Sequence, residues 1–222
     1  MSISGIHDGH EIGKEDRDDN SSVNKSFFQA SWDFLGIPFR FVLFDQAWLP
    51  RFGWTTLEQE RRSKVLPFVK GRLLDIGAGR NHLVREYGNG IGVDVHDWGG
   101  GVVVVEDTSR LPYADGSFDT VTLIAALNHI PNRDAVLKEA HRVLQPEGRL
   151  IVTMIPPQLG NMGHKFWWYD EHHKRGGMKQ GEVGGMTRKQ VVSLCDSAGF
   201  CLTGHKTFQF HLNNIYLFEK KR

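Results

Sequence analysis

From Arg72 onward the chain alternates short apolar runs with amphipathic stretches. "RLLDIG" reads as a buried strand, and "RNHLVREYG" as a short helix ended by Gly88. "GIGVDV", "GVVVVED" and "TVTLIAAL" read as the second, third and fourth strands, with a turn at Asp115-Gly116 before the last of them. "NRDAVLKEAHRVLQPEG" puts Val136, Leu137, Ala140, Val143 and Leu144 on one helical face and stops at Pro-Glu-Gly. "RLIVTMI" is a fifth strand. In "TRKQVVSLCDSAGF" Thr187 and Gln190 are spaced as a capping box, and "CLTGHKTF" and "NIYLFEKK" close the chain as strands. This alternation predicts an α/β fold: a doubly wound, seven-stranded, mostly parallel sheet with helices on both faces. Ligands of such sheets sit outside the carboxyl ends of the strands, at the switch point, which is where "DIGAG" falls.

The chain before Arg72 follows other rules. Residues 1–25 are polar and charged, too poor in large apolar groups to offset ordering entropy, and predict a flexible tail. Residues 27–54 then hold ten aromatics, broken by Pro38 and Pro50 into short helices or turns. "TTLEQERRSKVLPFV" has a loose helical period through Leu57, Glu58, Arg61, Val65 and Leu66, with Thr55 or Thr56 as N-cap. The expected organisation is a tail (1–25), a helical cap or lid (26–70) and a ligand-binding domain (71–222) carrying an insert at 156–186.

Composition narrows the class. With 222 residues, 40% hydrophobic and 24% charged, the chain has the profile of an ordinary globular protein with one sizeable core. Its 27 Lys plus Arg against 26 Asp plus Glu leave a net charge of +1, which gives no electrostatic footprint for nucleic acid. Cys195 and Cys201 are too few for a disulfide framework and fit a reduced compartment. The first residues lack the basic and apolar regions of a secretory signal, and no run reaches the ~20 apolar residues of a membrane span, so a cytoplasmic protein is the expectation. Peripheral membrane contact stays open.

The loop after the first strand decides the ligand. A dinucleotide fingerprint needs a third glycine, and here Gly77 and Gly79 are followed at that position by His82. Asp75, at the strand tip, would repel a pyrophosphate and welcome an ammonium or sulfonium. S-adenosylmethionine carries both and has no phosphate. Asp94 ends the second strand nineteen residues after Asp75, placed to take ribose hydroxyls. Asp107 ends the third, placed to accept from an adenine amino group. Asp75 alone could merely satisfy nearby backbone amides, and Asp94 or Asp107 alone could be a helix cap or turn former. Three in order at three strand ends make a constellation.

With "LLDIGAG", "GVDV", "EDTSRLPYADGSFD" and "HRVLQPEGRLIV" in hand, the stretch from Arg72 to Ile155 resembles a class I S-adenosylmethionine-dependent methyltransferase of the type 11 group, a Rossmann-like fold. The resemblance implies that Asp75 and the Gly77–Ala78–Gly79 loop hold the methionine end of the donor. It implies that Asp94 binds ribose, Val95 packs on adenine, Asp107 with Thr108 reads the adenine edge, and Leu123 offers backbone to the methionine end. The product would be S-adenosylhomocysteine. One departure stands out: the family has a third glycine where this chain has Asn81.

The acceptor side is read from "AALNHIPNRD". Methyl transfer is an in-line displacement that often needs a base, and His129 is the candidate, with a packed, loop-shaping histidine as the equal alternative. In the insert, His164, Asp170, Glu171, His172 and His173 match no tight ligand spacing, so no metal is expected. No Asn/Asp-Pro-Pro-aromatic motif follows the fourth strand, which argues against base-amino methylation. The aromatic stretch reads as core-packing cap, as acceptor lid, or as an interfacial anchor with Arg40 and Arg51 snorkelling beside Trp48 and Trp54. Asp33, Asp45 and Glu58 weigh against the anchor, and a mixture of cap and lid is expected. The function expected is methyl transfer to a small, apolar or ring-bearing organic acceptor. The rivals are a non-catalytic cofactor-binding scaffold and, more weakly, a nicotinamide-dependent oxidoreductase.

Overall fold

A computed structural model describes residues 25–43, 46–159 and 180–221. The insert residues read for metal ligation and nearly all of the expected tail lie outside these. Seven strands form one sheet in the order β3-β2-β1-β4-β5-β7-β6. They are β1 (Leu73–Ile76), β2 (Gly90–Asp94), β3 (Val103–Val104), β4 (Phe118–Ile124), β5 (Leu144–Met154), β6 (Phe200–Phe208) and β7 (Asn213–Lys220). β1 to β5 pair in parallel, whereas β7 runs antiparallel to both β5 and β6. The order reverses between β1 and β4, which makes their carboxyl ends the switch point.

Both faces of the sheet are covered, which is why its central strands read as unbroken apolar runs. Leu74, Ile76, Leu150, Val152, Tyr216 and Phe218 point to one side, where α4 (Arg133–Val143) and α5 (Arg188–Ser197) bury Val136, Leu137, Ala140, Val191 and Cys195. Leu73, Ile151 and Ile215 point to the other, against Val65 of α2 (Leu57–Val65) and Leu83 and Val84 of α3 (His82–Tyr87). The capping box of Thr187 and Gln190 forms, and a second one, Thr56 with Gln59, starts α2. Gly88 ends α3 in the left-handed conformation.

Two boundaries differ from expectation. β3 shrinks to two exposed residues at the sheet edge, because nothing pairs beyond it. β5 begins at Leu144, since Pro146–Gly148 stop α4 but continue as strand: Leu144 is fully buried and pairs with Phe118 before a register shift.

The aromatic stretch departs most. It forms α1 (Phe27–Leu35), a π-helical turn (Phe39–Leu43) and a 3-10 turn (Leu49–Phe52). None of its described aromatic rings is fully buried, and Phe27 and Phe28 are 82% and 83% exposed. The core-packing reading therefore fails. What lies inside, apart from Leu49, is charge: Asp33 and Arg40 are 0% exposed and Glu60 is buried. Arg40 binds Glu60 at 2.6 Å and donates to the Asp33 and Thr55 carbonyls, while Lys25 bridges Asp33 (2.6 Å) and Glu60 (3.0 Å). Arg40 thus does not snorkel, whereas Arg51 does lie over Trp48, 4.5 Å from the ring centre. The indole N–H groups of Trp32 and Trp54 donate to the Phe52 and Trp32 carbonyls, which folds the stretch onto itself.

α2 ties this stretch to the ligand end of the sheet. Glu58 meets His82 at 2.6 Å and Arg62 meets Glu86 at 3.0 Å, both on α3. Gln209, in the turn between β6 and β7, donates to the Leu57 carbonyl. Asn214, just beyond that turn, pairs with Met154 at the carboxyl end of β5.

Candidate active site

The loop after β1 is held by β2. The amides of Gly77 and Ala78 both donate to the Val93 carbonyl (2.9 and 3.1 Å), and the Gly79 amide donates to Asp94 Oδ2 at 2.9 Å. Three successive loop amides are thereby engaged within the chain and are not free to cradle a pyrophosphate as those of a dinucleotide loop are. Gly77 has φ +74°, and a Cβ there would press on Ala126 at 2.7 Å. Gly79 has φ +54° and a Cβ on it would meet nothing within 4 Å, so this glycine borders open space.

Asn81, the departure from a third glycine, sits at φ 61°. Asparagine is among the few side-chain-bearing residues that enter the left-handed region, so it keeps the loop path that glycine would give. Its Nδ2 donates to Gly101 and its Oδ1 packs directly against Gly92, where any Cβ would collide with it.

Asp75 is buried, beside Thr122 on the neighbouring strand, whose hydroxyl donates to it at 2.6 Å. Burial pushes its carboxyl up to about 7; the Thr122 hydrogen bond opposes this and the Asp94 charge adds to it. No ion pair reaches Asp75 among the described residues. A buried carboxylate in that state is suited to a cationic ligand group. Asp94 is buried and aimed by two amides, Gly79 on one oxygen and His96 (3.1 Å) on the other, with lone pairs remaining for hydroxyl donors. Val95 beside it is 45% exposed, an apolar surface of the kind a planar ring covers. Asp107 closes a turn: it accepts from the Ser109 amide (2.8 Å) and hydroxyl (2.7 Å) and from Asn132, and the Ser109 bonds chiefly hold its carboxyl below the usual range. Thr108 is buried next to it. These residues therefore fit an adenosyl ligand with a charged amino-acid end and no phosphate.

Leu123 is buried and paired with Val152, one residue before β4 ends at Ile124. The residues at the tip are Ala125, with φ 51° and its amide on Thr153 Oγ1 at 2.9 Å, and Ala126 against Gly77.

His129 ends a 3-10 turn (Leu127–His129) that follows this tip. Its Nδ1 lies 3.5 Å from Glu182 Oε2. Ala126 thus links the turn to the glycine loop, and Asn132 links it to Asp107, which brings His129, Gly77 and Asp107 to the carboxyl end of the strands. Sequence reasoning missed Thr122, Asn132 and Glu182. Thr122 had a signal, since it stands opposite Asp75 once β1 and β4 pair in register; Glu182 had none, arriving from 53 positions away.

Residues 74–152 match the family profile described as Methyltransferase domain. The 27-O-demethylrifamycin SV methyltransferase of Amycolatopsis mediterranei is 35% identical over 134 residues, which cover 48% of this chain and 48% of that protein. A ubiquinone/menaquinone biosynthesis C-methyltransferase of Rickettsia felis is 26% identical over 128 residues, covering 46% of this chain and 52% of that protein. The chain thus spans about half the length of these curated relatives. A solved SAM-dependent methyltransferase of Thermotoga maritima superposes with a TM-score of 0.57 over 87% of this chain and 97% of its own, at 18% identity, a likeness of fold.

Proposed function

We propose that the chain carries a class I S-adenosylmethionine-dependent methyltransferase domain of the type 11 group, with S-adenosylmethionine as its cofactor, and that it methylates a small, apolar or ring-bearing organic acceptor. The observation that carries this reading is the pairing of a loop whose amides are already engaged with a buried, cation-seeking Asp75. That combination disfavours the nicotinamide alternative.

The bound donor supplies an electrophilic methyl group on a sulfonium. Asp75 holds the ammonium at the methionine end, and Ala125 and Ala126 shape the backbone beside it. Asp94, aimed by the Gly79 and His96 amides, takes the ribose hydroxyls. Val95 covers adenine, and Asp107 with Thr108 borders its edge. His129 accepts the proton that the acceptor loses as it attacks in line. The rings of residues 27–54, tied through α2 to the ligand end of the sheet, serve as the lid that excludes water and favours an apolar acceptor. The rifamycin and quinone acceptors named for the relatives are ring systems, which supports the acceptor class.

The test is incubation with methyl-labelled S-adenosylmethionine and an extract of the producing cells. The expected result is label in a low-mass apolar product, lost in His129→Gln. Donor binding without any labelled product would replace this reading with the scaffold alternative.

A further inference from the structure

The segment that carries Glu182 is fastened to the His129 turn on both sides of the pair. The Val183 amide donates to the Asn128 carbonyl at 2.9 Å, and Asn128 Nδ2 reaches back to the Val183 carbonyl at 3.4 Å. Arg133 Nη2 donates to the Gly181 carbonyl at 2.7 Å and to the Asn128 carbonyl at 3.1 Å, while its Nε holds the Leu127 carbonyl. Gly181 has φ 90° and lies against Pro131, a close approach that a side chain there would spoil. Between these fastenings stands Glu182, its side chain only 3% exposed, with His129 at 15%. A carboxylate so deeply placed requires polar partners, and Nδ1 of His129 is one of them, with the Arg133 guanidinium in electrostatic reach.

We propose that Glu182 is a positioning residue: its carboxylate accepts a hydrogen bond from Nδ1–H of His129, which fixes the neutral imidazole in the Nδ1–H form and leaves the basic lone pair on Nε2. A free neutral imidazole of a histidine side chain prefers the opposite form, so an orienting acceptor is what makes Nε2 the proton-accepting atom. The inference rests on the base role given to His129 above, and it assigns that role to one nitrogen.

Long-range ¹H–¹⁵N correlation spectra of the full chain, recorded where the imidazole is neutral, test it. The His129 signals are assigned by their loss in His129→Gln. Wild type is expected to show Nδ1 protonated, and Glu182→Met, which keeps the side-chain length but removes the acceptor, to shift the ring toward Nε2–H. An Nε2–H ring in wild type, or the same form in both proteins, overturns the proposal; if Glu182→Met does not fold, the wild-type spectrum alone decides. Undiminished label transfer by His129→Gln would overturn the base reading, and with it the catalytic meaning of the pair, while leaving the observed ring form untouched, so the two failures are distinct.

Discussion

At the scale of single residues, the site turns on two acids held in opposite ways. Asp75 has its carboxyl raised to about 7 from an ordinary value near 3.8. Between about pH 4 and 7 the folded protein therefore holds a proton that the unfolded chain has lost, and stability contributed by this group falls as pH rises through that window. Asp75→Asn should raise the melting temperature of the ligand-free protein at pH 8 and abolish donor binding. A donor ammonium favours the ionised carboxylate, so S-adenosylhomocysteine binding at pH 6 should release a proton, and affinity should climb toward pH 7. Calorimetry in buffers of different ionisation enthalpy measures this; equal heats in all of them would remove Asp75 from the methionine end. Asp94 is instead aimed by two amides. Losing a charge-assisted contact of that kind costs about 1.5–3 kcal/mol, so Asp94→Ala should weaken donor binding at least tenfold. An unchanged dissociation constant in a folded variant would reassign the ribose. Asn81 offers a third check on thermal melts. Asn81→Gly should be tolerated, whereas Asn81→Val should lose roughly 1–2 kcal/mol, because a β-branched residue resists the left-handed conformation.

At the scale of elements, the first helix is anchored by buried ions as well as by the indole contacts of Trp32 and Trp54. Breaking a buried ion pair by removing one partner costs about 3–5 kcal/mol. Arg40→Met should therefore release the segment that carries α1, exposing it to limited proteolysis, while the sheet keeps its cooperative melt and donor binding persists. Equal proteolytic resistance in variant and wild type would show that the rings, not the ions, hold the segment. The same contrast explains what could be read in advance. The central strands were legible as unbroken apolar runs, α4 because its burial repeats with the helical period, and the glycine loop because its chemistry is local. Asp33, Arg40 and Glu60 were not, since in the chain Asp33 and Arg40 look like interruptions of an aromatic run and Glu60 like one more charge of α2, and only the folding of that run against α2 puts them inside. Leu123 stands one residue before the last residue of β4, Ile124, and period-two reasoning cannot say at which residue the ladder ends. Glu182 lay beyond any local pattern, because its partner is set by the return of the chain after the insert.

At the scale of the whole molecule, donor and acceptor functions should separate. If residues 27–54 form the lid, deletion of residues 1–54 should abolish labelled product while part of the S-adenosylhomocysteine affinity survives in titration; full turnover in that variant would release the rings from the acceptor site. The described residues include no helix long and apolar enough to cross a membrane. Yet Phe27, Phe28, Trp32, Phe34 and Leu35 of one short helix are all exposed to solvent in large part, with Trp48 and Phe52 also exposed in the turns that follow. This inverted layering has a consequence for how the protein behaves on the bench. In its native state it should already light up environment-sensitive dyes and be retained on phenyl resin at moderate salt, as partly unfolded proteins are, although its melt stays cooperative. Replacing Phe27 and Phe28 by serine should quench the dye signal and shorten the retention without lowering the melting temperature, since neither ring contributes to either hydrophobic core.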